Sequence, residues 1–287
     1  MSRAPTISIL VPWANRSELA HCLRENARWF ESHDAEVLLI NAGGDEWLMR
    51  ASATQSGNVP LRIINTPLKE FNRGLALNLG VWFSRAKLIF TLDCDVIMTS
   101  DLFSEAIEKV EEGAFATLKS RFESESNGMP RLAGVVIGHD TCIRSVRRRS
   151  YIEVQFSDGS CTSLQTSATD LLTGGDAGHG QVLMRKVDFL AVGGYYSGLE
   201  TWGWEDDDIL FRLQRNLKLL HVEAGEGVHL THGDDKRNLS GGSRASRDMD
   251  NMTRCFERYA EGTFAGSYSD DVARWSALCE EQRGTIL

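Results

Sequence analysis

Short runs of consecutive apolar, β-branched residues recur through the first 92 positions, with segments whose apolar residues repeat every three or four set between them. No other feature constrains the fold as tightly. Thr6-Ile-Ser-Ile-Leu-Val11, closed by Pro12, reads as a buried strand. Leu19, Leu23, Ala27 and Phe30 then carry helical spacing, and Glu36-Val-Leu-Leu-Ile40 is a second strand stopped by Asn41-Ala-Gly-Gly44. Leu61-Arg-Ile-Ile64 is a third strand; Leu75, Leu79, Trp82 and Phe83 mark a helix over 75–83, and Leu88-Ile-Phe-Thr-Leu92 a fourth strand. Strands that are apolar throughout are covered on both faces, so this order predicts an α/β layered fold with a mostly parallel central sheet and helices on both faces.

The chain of 287 residues allows one large domain or two small ones, and 42% apolar with 25% charged residues excludes disorder as its overall state. We read one domain over 1–287. Residues 6–120 form a ligand-binding half, 121–247 a second half with mobile loops, and 248–287 a helical end. Within 121–180, rich in Ser, Gly, Thr and Arg, strand candidates fall at 132–137 and 151–156, as sheet-edge strands. Val182-Leu-Met184 restores an apolar run, and Ile209, Leu213 and Leu217 a helical one. Leu219–Glu223 reads as a strand before a glycine-rich turn, 233–247 as too polar to pack, and 248–260 as a helix.

A net charge of -9, from 31 basic and 40 acidic residues, argues against a general nucleic-acid binder. Arg147-Arg148-Arg149 is the one basic run, a loop feature rather than a footprint. The six cysteines show no C-x-x-C spacing, so neither a zinc ribbon nor a redox motif is indicated. Neither a signal peptide nor an apolar stretch near ~20 residues is visible, which predicts reduced thiols in a cytoplasm and no membrane span.

Four stretches carry residues suited to chemistry. Asp93-Cys94-Asp95 follows the fourth strand, where open α/β sheets bind ligands. Two carboxylates there suit a divalent cation that bridges to a diphosphate; two surface acids in a loop are the plain alternative. Trp202-Gly-Trp-Glu205-Asp206-Asp207-Asp208 opens a helical pattern. Acids in a first turn complement the helix dipole, yet four in succession exceed what a cap requires, and their repulsion raises at least one pKa. Side chains diverge by about 100° per residue, so only one or two face a common site. Aromatics beside them suit a stacked sugar ring.

His229-Leu-Thr-His232 is either a pair of unrelated surface histidines, the reading composition favours, or the completion of a metal site. Phe71-Asn72-Arg73-Gly74 offers a stacking face, a helix cap and a phosphate or base contact. The cluster Gly174-Gly175-Asp176-Ala-Gly178-His179-Gly180 is no dinucleotide fingerprint, and no P-loop occurs.

Taken in order, these pieces resemble the nucleotide-sugar glycosyltransferases of the GT-A (Rossmann-like) fold. Within it they resemble the β-1,4-galactosyltransferases and the bacterial chondroitin-type polymerase domains. The matching stretches are Ile7–Pro12, Phe71-Asn-Arg with Leu77-Asn78-Leu-Gly80, Asp93-Cys-Asp95-Val-Ile, Trp202–Ile209 with Arg212-Leu213, and His232 ahead of Asp235-Lys236. Gly194 and Tyr195 match less closely. The likeness spans about residues 6–240 and is weak over 121–180.

That resemblance implies the roles. Asp95, His229 and His232 would hold a divalent cation, Mn2+ by preference with Mg2+ as the alternative; His229 departs from the methionine usual in the family. Pro12, Phe71, Arg73, Asp93 and Asp95 would bind the donor, with Phe71 and Arg73 around uracil. Asp206 would be the general base and Glu205 an acceptor-hydroxyl contact. Trp202 and Trp204 would line the acceptor, Trp204 standing where the family often has glycine. Asp208 would face solvent or cap the helix. The implied reaction is inverting transfer of a hexose or N-acetylhexosamine from a UDP-sugar to a glycan, lipid-linked or small glycosylated acceptor, in a bacterial cytoplasm with peripheral membrane contact open. A nucleotidyltransferase would differ by releasing pyrophosphate, and a non-catalytic sugar-binding module by binding donor without turnover.

Overall fold

Alternate side chains of the first strand enter two different cores. Ile7, Ile9, Val11 and Trp13 point to one side of the sheet and Leu10 to the other, all fully buried. The structure, a computed structural model, describes residues 4–125, 146–199, 201–233 and 241–283. Its strands are β1 (Ile7–Trp13), β2 (Ala35–Asn41), β3 (Leu61–Asn65), β4 (Leu88–Thr91), β5 (Val96–Met98), β6 (Ala114–Glu123), β7 (Arg147–Gln155), β8 (Cys161–Asp170), β9 (Asp176–Arg185), β10 (Leu220–His229) and β11 (Glu280–Arg283). Its helices are α1 (Leu19–Ser32), α2 (Glu46–Ala53), α3 (Arg73–Phe83), α4 (Leu102–Glu111), α5 (Lys186–Ala191), α6 (Glu205–Leu217), α7 (Arg244–Ala260) and α8 (Tyr268–Trp275). The strand candidate at 132–137, Cys142 and Asp235-Lys236 lie outside the described residues.

Both faces of the sheet are covered, as the apolar strands require. Leu19, Leu23 and Phe30 of α1, Met49 of α2 and Phe103 of α4 close one core. Ala76, Leu77 and Val81 of α3, Ile209 and Leu213 of α6 and Tyr259 of α7 close the other.

The sheet itself is mixed, which corrects the mostly parallel expectation. The strand order is β11-β3-β2-β1-β4-β9-β6-β10-β5, with the β7–β8 hairpin joined through β8 to β9. The run β3-β2-β1-β4 is parallel, as is β6 with β10, but β9 lies antiparallel to both β4 and β6. The short link of residues 171–175 likewise lets β9 follow β8 only as an antiparallel neighbour, since a parallel one needs a crossover of about a dozen residues. The described part of 121–180 is accordingly mostly strand, with the stretch from Asp176 to Gly180 inside β9 rather than in a loop.

Two other local expectations change. β1 continues through Pro12 to Trp13, because its pairing with β4 ends at Leu10 and only β2 flanks it beyond. β10 runs on to His229 instead of turning after Glu223. Gly225 makes that continuity workable: its φ is +62°, and a Cβ there would stand 2.7 Å from the Cβ of Leu102. The carboxyl ends of β1, β4, β6 and β10 and the start of α6 then converge on one cavity.

Candidate active site

That cavity, of about 610 Å³, is lined by every one of the residues singled out for chemistry: Pro12, Phe71, Arg73, Asp93, Asp95, Trp202, Trp204, Glu205, Asp206, His229 and His232. Segments from across the chain thus meet in one place, and the reading of two unrelated surface histidines falls away.

At one end, Asp95, His229 and His232 present ligand atoms that all lie within 4.8 Å of one another. Nε2 of His229 is 3.7 Å and Nε2 of His232 3.4 Å from Oδ2 of Asp95. β5 and β10 set this register, pairing His229 with Val96, the residue after Asp95. Leu230 N adds a bond to the Asp95 carbonyl at 2.8 Å. Burial disfavours the Asp95 charge, but hydrogen bonds from both histidines and the charges of His229 and Arg16 outweigh it and hold the carboxyl far below its ordinary value. One carboxylate and two imidazoles fit a borderline divalent cation of the transition series. Arg16 Nη2 lies 2.7 Å from the same Oδ2, an added positive charge at the cavity wall.

At the other end, Arg73 ties the acids together. It is the first residue of α3, whose cap is Asn72, Oδ1 accepting from Leu75 N at 2.9 Å. Arg73 Nε donates to Asp93 Oδ1 at 2.9 Å, Nη1 to Asp206 Oδ1 at 2.5 Å, and Nη2 to the Gly180 carbonyl at 2.8 Å. Burial works against its charge, yet Asp206 and Asp93 more than compensate and raise its pKa. Arg73 therefore faces the carboxylates in this state. Gly180 is packed into the same group: a Cβ there would lie 3.0 Å from Asp206 Oδ2 and 3.1 Å from Asp93 Oδ2.

The four acids of α6 divide by direction. Asp206 also accepts from Tyr195 Oη at 3.3 Å. Glu205 is pushed up to about 8, first by burial and then by the Asp206 charge, and its Oε2 has no hydrogen-bond partner. Asp207 pairs with His179 Nδ1 at 3.1 Å and is raised by burial, which that contact only partly offsets. Asp208 overturns the expectation that it faces solvent. It is fully buried, accepting from Arg212 Nε and Nη2 at 3.1 and 2.5 Å and from Tyr259 Oη at 2.5 Å. Arg212 Nη1 continues to the carbonyls of Val192 and Gly194 at 2.6 and 2.7 Å. Its place one turn inside the helix, facing α7, decides this.

The tryptophans sit where α6 begins. Trp202 is exposed, while Trp204 is buried against Phe256 with ring centroids 6.0 Å apart. Trp204 has φ +65°, the left-handed region that favours glycine. Trp204 Nε1, Glu205 Oε2 and His179 Nε2 are buried polar atoms without partners among the described residues, and all three residues line the cavity. Such groups are costly unless a ligand satisfies them.

Sequence reasoning passed over Arg16, Glu123 and Asn251. Asn251, on α7, is buried, and its Nδ2 donates to the carbonyls of Thr201, Trp202 and Gly203 at 3.1, 3.4 and 2.8 Å, pinning the aromatic turn. Nothing local marks these residues; Arg16, three positions past the first strand, offered a weak signal.

The architecture is a GT-A-type fold. Residues 1–349 of S. aureus TarS with UDP superpose with a TM-score of 0.50 at 11% identity, over 88% of this chain and 71% of that one. The same protein with UDP-GlcNAc gives 0.48 at 10% identity, over 83% and 61%. A mutant Drosophila β-1,4-galactosyltransferase 7 in complex with manganese, UDP-Gal and xylobiose gives 0.49 at 15% identity, over 88% and 80%. No curated protein sequence matches the chain. More particularly, residues 173–232 match the family described as the N-terminal domain of galactosyltransferase, a segment that contains Glu205, Asp206, His229 and His232. On that segment the chain is similar to the galactosyltransferases.

Proposed function

We propose that this chain is an inverting, metal-dependent glycosyltransferase that moves a hexose or N-acetylhexosamine from a UDP-sugar to a hydroxyl of a glycan or glycosylated acceptor. The observation that carries the reading is the opening of two chemically distinct ends into one cavity. Asp95, His229 and His232 stand at one end and Glu205 with Asp206 at the other.

A divalent cation held by Asp95, His229 and His232, Mn2+ or Mg2+, would neutralise the diphosphate as it leaves. Arg16 adds a fixed positive charge on the same side. Phe71 and Pro12 offer apolar walls for the uracil, and Asp93 a hydrogen-bond acceptor for the donor. Trp202 and Trp204 supply the flat surfaces that a sugar ring stacks on, Trp204 Nε1 a donor for its hydroxyls, and Glu205 a contact to the acceptor. Asp206 accepts the proton of the attacking acceptor hydroxyl. Arg73 holds Asp206 in place before the donor arrives. A base across the sugar from the diphosphate gives a single displacement, hence inversion.

Calorimetric titration of UDP with and without Mn2+ tests the reading, together with the product of donor turnover. We expect affinity to collapse in chelator and UDP to be the released product. Equal affinity in both conditions removes the metal bridge, and pyrophosphate release makes the protein a nucleotidyltransferase instead.

A further inference from the structure

Glu123 is the last residue of β6, and the parallel pairing of β6 with β10 sets it directly beside His229. Ser124 N fixes the register by donating to the His229 carbonyl at 2.9 Å. In that position Oε2 of Glu123 lies 2.8 Å from Nδ1 of His229 and accepts from Oγ1 of Thr231 at 3.0 Å. A carboxylate accepts only, so Nδ1 of His229 carries its proton toward Glu123 and Nε2 is the nitrogen turned toward Asp95. His232 is oriented alike by a different acceptor, its Nδ1 standing 2.9 Å from the Gly233 carbonyl.

We propose that Glu123 is a positioning residue for the cation, fixing the ring and tautomer of His229 so that Nε2 stays aimed at Asp95. The proposal rests on the metal-bridged reading above. An imidazole backed by a carboxylate is also a stronger ligand than one backed by water. An imidazole has two nitrogens and can flip, so His229 needs such an orienting partner.

The test is binding of Mn2+ to the metal-stripped full chain with UDP present, followed by the EPR signal of the free ion, together with the metal-free melting temperature. Glu123→Ala should weaken Mn2+ binding by about 10–100-fold with no change in metal-free melting. Glu123→Gln keeps an oxygen in reach of Nδ1 and should recover affinity to within about threefold to tenfold of the parent. Thr231→Val removes the Thr231 bond to Glu123 but not the imidazole contact, and should stay within about threefold. Parent-like binding by Glu123→Ala overturns the proposal, as does a loss in Thr231→Val equal to that in Glu123→Ala, which would place the effect in the loop. If the parent takes up no Mn2+, or Asp95→Ala binds it as tightly, the metal-bridged reading itself fails. Loss in Asp95→Ala with none in Glu123→Ala sinks the role of Glu123 alone.

Discussion

Arg73 Nη1 stands 2.5 Å from Asp206 Oδ1, so the proposed base and the proposed donor contact hold each other. Asp206→Asn keeps the shape of this contact and removes the basic oxygen. Transfer, or donor hydrolysis where no acceptor is known, should fall by about 10²–10⁴-fold with UDP affinity retained. Steady-state assays decide the matter: near-normal turnover in Asp206→Asn beside an inactive Asp207→Asn would move the base by one residue.

Glu205 gives the fold a pH dependence whose sign is fixed by its environment. Its pKa rises from 4.5 to about 8 on folding, chiefly through burial and then through Asp206. The folded state therefore binds the extra proton, and stability falls as pH climbs between those two values. Glu205→Gln removes this loss. The variant should melt above the parent at pH 8, with the gap closing toward pH 4.5, in metal-free buffer. A gap that does not change with pH would show that Glu205 ionises freely.

Asp208 belongs to the scaffold. Asp208→Asn leaves the buried Arg212 guanidinium without a counter-charge, which should cost about 3–5 kcal/mol in urea unfolding. Stability within about 1 kcal/mol of the parent would mean that the pair is solvated after all.

Gly180→Ala probes the packing of the carboxylates. Its Cβ would press on Asp206 Oδ2 and Asp93 Oδ2, and a displacement of a few tenths of an ångström matters to a reacting group. We expect turnover to drop by about 10–100-fold without loss of the folded state by circular dichroism. Unchanged turnover would show that Arg73 and its partners shift freely.

Much of this was legible in the sequence because the information is local. Apolar runs and helical spacing placed the strands from Ile7 to Thr91, and the dense run Trp202–Asp208 marked one end of the site. What escaped was set by pairing over long distances. The insertion of β9 between β4 and β6 pairs Leu88 with Arg185 and Ala116 with Leu183, residues far apart in sequence. Glu123 acquires meaning only from the β6–β10 register, and its sequence neighbours say nothing of His229. Asp208 shows the same limit: its spacing to Arg212 is helical, but only the packing of Tyr259 makes the pair buried.

The amide of Asn251 has a consequence for how such a site could change over time. It grips three successive carbonyls of the aromatic turn from a helix outside the galactosyltransferase-like segment. Substitutions around Asn251 therefore reach the aromatic turn without a direct contact to Asp206, Arg73 or the histidines. Under the proposed function, acceptor preference would drift with that part of α7 while the proposed base kept its own contacts. Exchange of α7 surface residues that altered donor hydrolysis as much as acceptor KM would contradict that separation.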